Sequence, residues 1–131
     1  MERTLIINKL QDAFPNLLAV YAFGCRIQGC SHSQSDLDLA LLVPTYADRL
    51  LLWKVSNELA NELGVDIDLL DFRAASTVMQ FQILTSGERW WSKDSTADLY
   101  ETFVLSEKIK LDEARKDLID DIKKEGHIYT R

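Results

Sequence analysis

Apolar residues recur at helical spacing in Thr4–Ala13, through Leu5, Ile6 and Leu10, and predict an opening helix that Phe14-Pro15-Asn16 stops. Leu17–Phe23 (LLAVYAF) is a short, wholly apolar run and predicts a strand buried on both faces, ended by Gly24. Cys25–Ser35 is polar and turn-rich. Asp36–Val43 (DLDLALLV) alternates, then becomes apolar, as a central strand does, and Pro44 terminates it. Tyr46–Leu63 predicts an amphipathic helix with Leu50, Trp53, Leu59 and Leu63 among its apolar positions. Gly64 stands where a left-handed cap residue would. Val65–Phe72 (VDIDLLDF) alternates again as a third strand, Ala74–Leu84 predicts a helix, and Gly87–Trp91 a short edge strand. Asp98–Lys124 predicts one long helix or two abutting ones, with an apolar stripe of Val104, Leu111, Leu118 and Ile122. Helices alternating with buried strands predict an α/β domain around a mixed sheet, with residues 94–131 as a C-terminal helical extension of a single 1–131 domain.

Composition adds limits. The 131 residues fit one domain with one core and leave little room for a separate substrate-binding domain. A net charge of −6 argues against direct nucleic-acid binding, which needs a basic surface, and suits a chain whose acids hold divalent metal. Cys25 and Cys30 are too few for a disulfide framework. No basic-then-apolar leader opens the chain, and no apolar run approaches the ~20 residues of a membrane span. A cytoplasmic, reduced setting is the expectation.

Candidate chemistry concentrates between Phe23 and Leu39. Asp36 and Asp38 are two apart on a predicted strand, so their side chains share one face. Like charges so placed repel unless a cation lies between them, and carboxylate oxygens are natural Mg²⁺ ligands. Gly24 ends the preceding strand, where a missing side chain lets a phosphate approach the backbone. A third acid could come from Asp66, Asp68 or Asp71. Asp66 and Asp68 share a face and Asp71 falls on the other. Asp68 is favoured because it lies well inside the strand, with Asp66 second.

Gly24-Cys25, ten residues, then Asp36-Leu37-Asp38 resembles the motif of the nucleotidyltransferase superfamily of DNA polymerase beta and kanamycin nucleotidyltransferase. Gly29 and Ser35 also fall where small members carry Gly and Ser. Cys25 departs from the family serine that binds an NTP phosphate, and a thiol is a weak donor. Among small members the chain most resembles the minimal nucleotidyltransferase antitoxins of the MntA type, in DIDLLDFRAASTV and the GERWW segment as well. The resemblance implies a small palm, ATP as substrate and two Mg²⁺ ions. It implies a hetero-oligomer with a HEPN-domain ribonuclease toxin of the HepT type, inactivated by AMP transfer to a tyrosine. On it, Asp36, Asp38 and Asp68 are catalytic and metal-binding, and Gly24, Cys25, Arg26 and Ser35 hold the nucleotide.

Other residues have plainer roles. Cys25, Cys30 and His32 lack an apparent fourth zinc ligand. Arg26 can grip phosphate through its guanidinium. Trp90 and Trp91, adjacent on a strand, are expected to split between core and surface, and Trp53 to face the core. Two other functions stay open: an antitoxin that neutralises by binding alone, which Cys25 favours, and a small-molecule nucleotidyltransferase of the aminoglycoside kind, which the lack of a second domain disfavours.

Overall fold

The structure is a computed structural model that describes residues 3–24 and 37–129, with side chains as far as Ile119. In chain order the elements are helix α1 (Arg3–Ala13), strands β1 (Ala19–Phe23) and β2 (Leu37–Leu42), helix α2 (Arg49–Leu63) and strand β3 (Ile67–Asp71). A 3₁₀ turn (Phe72–Ala74), helix α3 (Thr77–Ser86), strand β4 (Glu88–Ser92) and helix α4 (Thr96–Tyr129) complete the chain. The expected order of elements holds. The sheet runs β3-β2-β1-β4, with β2 and β3 parallel and the other pairs antiparallel. A parallel pair needs a crossover, and α2 supplies it.

The period-2 alternation of β2 divides the core. Leu37, Leu39 and Leu41 join Ile6, Leu10, Leu52, Val55 and Leu59 on the α1/α2 side. Ala40 and Leu42 join Tyr21, Phe72, Ile83, Ala97 and Val104 on the α3/α4 side. With both faces covered, the strand reads as an apolar run.

Helix ends follow their caps. Asp48 accepts from Leu50 N at the start of α2, and Gly64 at φ 70° closes it. Ser76 caps α3, so the expected Ala74 start is displaced: Phe72–Ala74 forms its own 3₁₀ turn first. The core face of α2 runs through Leu52, Val55 and Leu59, not Trp53 or Leu50, which are 70% and 77% exposed. Leu50 and Trp53 look like core residues because the whole Leu50–Trp53 run is apolar, so any of the four could have faced inward.

The tryptophans also differ from expectation. A bulge in the β1–β4 pairing sets Val20 opposite Trp91 and Tyr21 opposite Arg89. The extra residue puts Trp90 and Trp91 against the same core cluster instead of on opposite faces. Arg3 lies over the Trp90 ring at 4.7 Å. Helix α4 is one helix of 34 residues, about 51 Å long. Val104 is fully buried, but Leu118 is 60% exposed, so the predicted stripe is core only in its first part. Tyr21 Oη donates to Glu101 at 2.7 Å, and Glu101 pairs with Arg89 at 2.8 Å, which ties α4 to β1 and β4. Burial first, then the Glu101 bond, pushes the Tyr21 hydroxyl far above its ordinary range.

Candidate active site

Three strands in register build the site. Phe23 on β1 pairs with Asp38 on β2, and Asp38 pairs with Asp68 on β3. Neighbouring strands lie about 4.8 Å apart, and paired residues project from the same face. Asp38 and Asp68 therefore stand side by side on the α3/α4 face, at the end of the sheet where β2 begins. Asp38 is half-buried and Asp68 exposed, so this acidic edge opens to solvent.

Gly24 completes the local geometry. It follows β1 at φ +92°, a conformation that L side chains rarely adopt. A Cβ there would run into the Asp38 carboxylate oxygen Oδ2. The space a side chain would fill is thus taken by the carboxylate itself, and the position of Asp38 requires the glycine.

The other acids of β3 separate cleanly. Asp66 lies just before the strand, exposed, and its carbonyl accepts from Leu37 N at 2.9 Å. Asp71 is buried at 8% exposure, and its carboxylate accepts from Ala47 N at 2.9 Å and Arg73 N at 3.1 Å. Both oxygens are committed to backbone, so Asp71 is a structural cap on the opposite face, as its register position predicted.

The described residues bring together Gly24, Asp38 and Asp68. Asp36, Cys25, Arg26 and Ser35 lie outside the described residues, as do Cys30 and His32. Among the described residues no group of three His, Cys, Asp or Glu side chains gathers as a metal cage. Two adjacent carboxylates on an open edge nevertheless suit Mg²⁺, which takes one or two protein carboxylates and leaves its other positions to water and phosphate.

The profile of the family described as Polymerase beta, Nucleotidyltransferase matches residues 5–96. The chain belongs to this nucleotidyltransferase family. It is 36% identical over 117 residues to the protein adenylyltransferase MntA of Shewanella oneidensis, covering 89% of this chain and 84% of that protein. A crystal structure of a toxin–antitoxin with AMP-PNP superposes with a TM-score of 0.81 at 34% identity, over 94% of this chain and 99% of that one. A structure of the tri-AMPylated Shewanella oneidensis HEPN toxin in complex with MNT antitoxin matches with a TM-score of 0.74 at 33% identity, over 92% and 95%. In this family frame the Asp38–Asp68 pair sits in the nucleotidyltransferase palm.

Sequence reasoning did not find the groove beside this site. Arg49, Leu52, Trp53 and Ser56 of α2, with Asp68–Asp71 and Ala74, line a depression of about 420 Å³ along the outer edge of β3. The signal was present as the i, i+4, i+7 spacing of Arg49, Trp53 and Ser56. A second cleft, of about 310 Å³, lies at the far end of β2 around Phe14, Val43 and Tyr46, away from Asp38. Among the described residues no helix is long and apolar enough to cross a membrane.

Proposed function

We propose that this chain is the antitoxin of a HEPN/MNT pair and transfers AMP from ATP to a tyrosine of its HEPN toxin, inactivating it. The observation that carries the reading is the in-register Asp38–Asp68 pair beside Gly24, in a chain that matches MNT antitoxin across its length. The tyrosine hydroxyl oxygen attacks the α-phosphorus of ATP. The new O–P bond forms as the bond from the α-phosphorus to the bridging oxygen breaks, pyrophosphate leaves with that electron pair, and the phenolic proton passes to Asp68. Asp36, Asp38 and Asp68 would hold Mg²⁺, in two ions, which when bound neutralises charge on the triphosphate and the leaving oxygen. Gly24, Cys25, Arg26 and Ser35 are assigned to the nucleotide, Arg26 by guanidinium contact with phosphate. In this reading residues 94–131 are a C-terminal helical extension of the 1–131 nucleotidyltransferase domain.

The test is co-expression of a HEPN-domain toxin partner with wild type and with the Asp36→Asn/Asp38→Asn double variant, followed by mass measurement of the purified toxin. AMP units on a toxin tyrosine with wild type alone are expected. Unmodified toxin held in a neutralised complex by both forms would refute the enzyme reading in favour of binding alone, and label on a small molecule would refute the protein acceptor.

A further inference from the structure

The β3 edge offers a place for the acceptor, an inference that rests on the proposed transfer to a toxin tyrosine. β3 is the terminal strand of the sheet. Its Asp66 carbonyl faces β2, where it accepts from Leu37 N. Backbone groups alternate in direction along a parallel strand, so those of Ile67, Leu69 and Asp71 face outward. Ile67 O confirms the direction, since the α2 side chain Ser56 Oγ donates to it. Ser56 thereby closes the Ile67 rung. Leu69 is the next outward rung, halfway along the groove of Arg49, Trp53, Ser56 and Asp68–Asp71. Trp53, 70% exposed, stands over this groove, though a tryptophan normally buries most of its surface.

Position ties the groove to the chemistry. Phe23, Asp38 and Asp68 already form one row across three strands. A segment added along the β3 edge places its next residue in that row, with its side chain on the face of both carboxylates. Asp68 is at once a member of the acidic pair and a wall of the groove. An acceptor whose hydroxyl must reach Asp68 can approach through the groove without displacing β1 or β2.

We propose that the tyrosine-bearing segment of the toxin docks in extended form along the outer edge of β3, hydrogen-bonded to the Leu69 backbone and packed on Trp53, which delivers its tyrosine beside Asp68. Trp53 is a positioning and specificity residue for the protein acceptor and has no part in holding ATP.

The test uses the full-length chain and its HEPN partner. Steady-state AMP transfer is measured for wild type, Trp53→Ala and Trp53→Phe, alongside binding of a non-hydrolysable ATP analogue. Trp53→Ala should raise KM for the toxin on the order of tenfold to thirtyfold, with kcat and analogue affinity held within about twofold, and Trp53→Phe should restore most of the loss. Hydrogen exchange of the complex should show the Leu69 amide protected at least tenfold over the free chain. An unchanged toxin KM with no added protection at Leu69 overturns the proposal. So does a loss of ATP-analogue binding in Trp53→Ala, which would make the groove a nucleobase site. If wild type transfers no AMP to the toxin, the functional reading fails, while Leu69 protection in the complex still decides the docking edge.

Discussion

Replacing Gly24 with alanine adds one methyl group, and its consequences can be followed atom by atom. Gly24 has φ +92°, where a residue with a side chain carries about 1–3 kcal/mol of strain. The added Cβ overlaps Asp38 Oδ2. Asp38 lies on a strand paired on both sides, so its carboxylate rotates before the strand moves, at about 0.5–1.5 kcal/mol. The sum is roughly 2–4 kcal/mol, a large share of the ~5–15 kcal/mol typical of a domain. For a chain of this size it corresponds to a fall in Tm of roughly 8–16 °C. Transfer should suffer more, because an acid displaced by about 1 Å can cost on the order of a hundredfold in rate. Urea unfolding measures the first effect and labelled-ATP transfer at a temperature where the variant is folded measures the second. A cycle with Asp38→Ala separates them: the clash vanishes in the double variant and the strain at Gly24 stays, so a coupling of about 1 kcal/mol should appear. Gly24→Ala within about 0.5 kcal/mol of wild type in stability, with undiminished transfer, would refute the reasoning.

The two acids at either end of β3 should respond in opposite ways. Asp68→Asn is expected to cut transfer at least a hundredfold with no loss of Tm, since the residue is exposed. Asp71→Ala should cost about 2–3 kcal/mol in unfolding, as the Ala47 and Arg73 amides lose a charged acceptor, yet retain transfer within a few fold below its Tm. Tyr21→Phe tests the buried hydroxyl. Its pKa is raised in the folded chain above the ordinary 10.0, so its contribution is intact below pH 10 and is lost as pH rises above it, where the unfolded tyrosine ionises first. Wild type should therefore lose stability above about pH 10 more steeply than Tyr21→Phe in pH-scanned unfolding. Cys25→Ser, which restores a hydroxyl at the family position, should tighten ATP binding by about tenfold; a calorimetric affinity equal to the parent's would assign the contact to backbone around Gly24.

Much of this was legible in the chain because the signals were periodic. Alternation in Leu37–Leu42 marked a strand between two cores, and the side on which Asp71 falls followed from counting residues. What escaped depended on partners that periodicity does not carry. The apolar run Leu50–Trp53 left the phase of α2 undetermined, and the β3 edge and core decided it in favour of Leu52 and Val55. One bulged residue in β4 turned two tryptophans to one cluster. The Ser76 cap delayed α3. In the site, spacing brought out Gly24 and the paired acids. It could not reveal that Asp38 fills the missing Gly24 side chain, or that Asp68 is its neighbour in register across a parallel pair, because both relations join segments about 14 and 30 residues apart.

Like charges directly opposite on neighbouring strands oppose folding, and a single-residue shift of β3 would relieve Asp38 and Asp68 of each other. That shift would also turn Ile67 and Leu69 out of the α1/α2 core and Asp68 into it. The apolar pattern of β3 therefore fixes the register that sets the two acids side by side. Among the described residues, the outer side of β3 is covered by a side-chain hydrogen bond only where Ser56 meets Ile67. An open edge is ordinarily an aggregation hazard that charges, bulges or a covering element suppress. Here the outward rung at Leu69 is adjacent to Asp68, the acid to which the proposed mechanism assigns the acceptor proton, and an exposed tryptophan stands over it. On the proposed reading, the sheet edge beside the carboxylates is a surface on which acceptor binding and phosphoryl chemistry share one register.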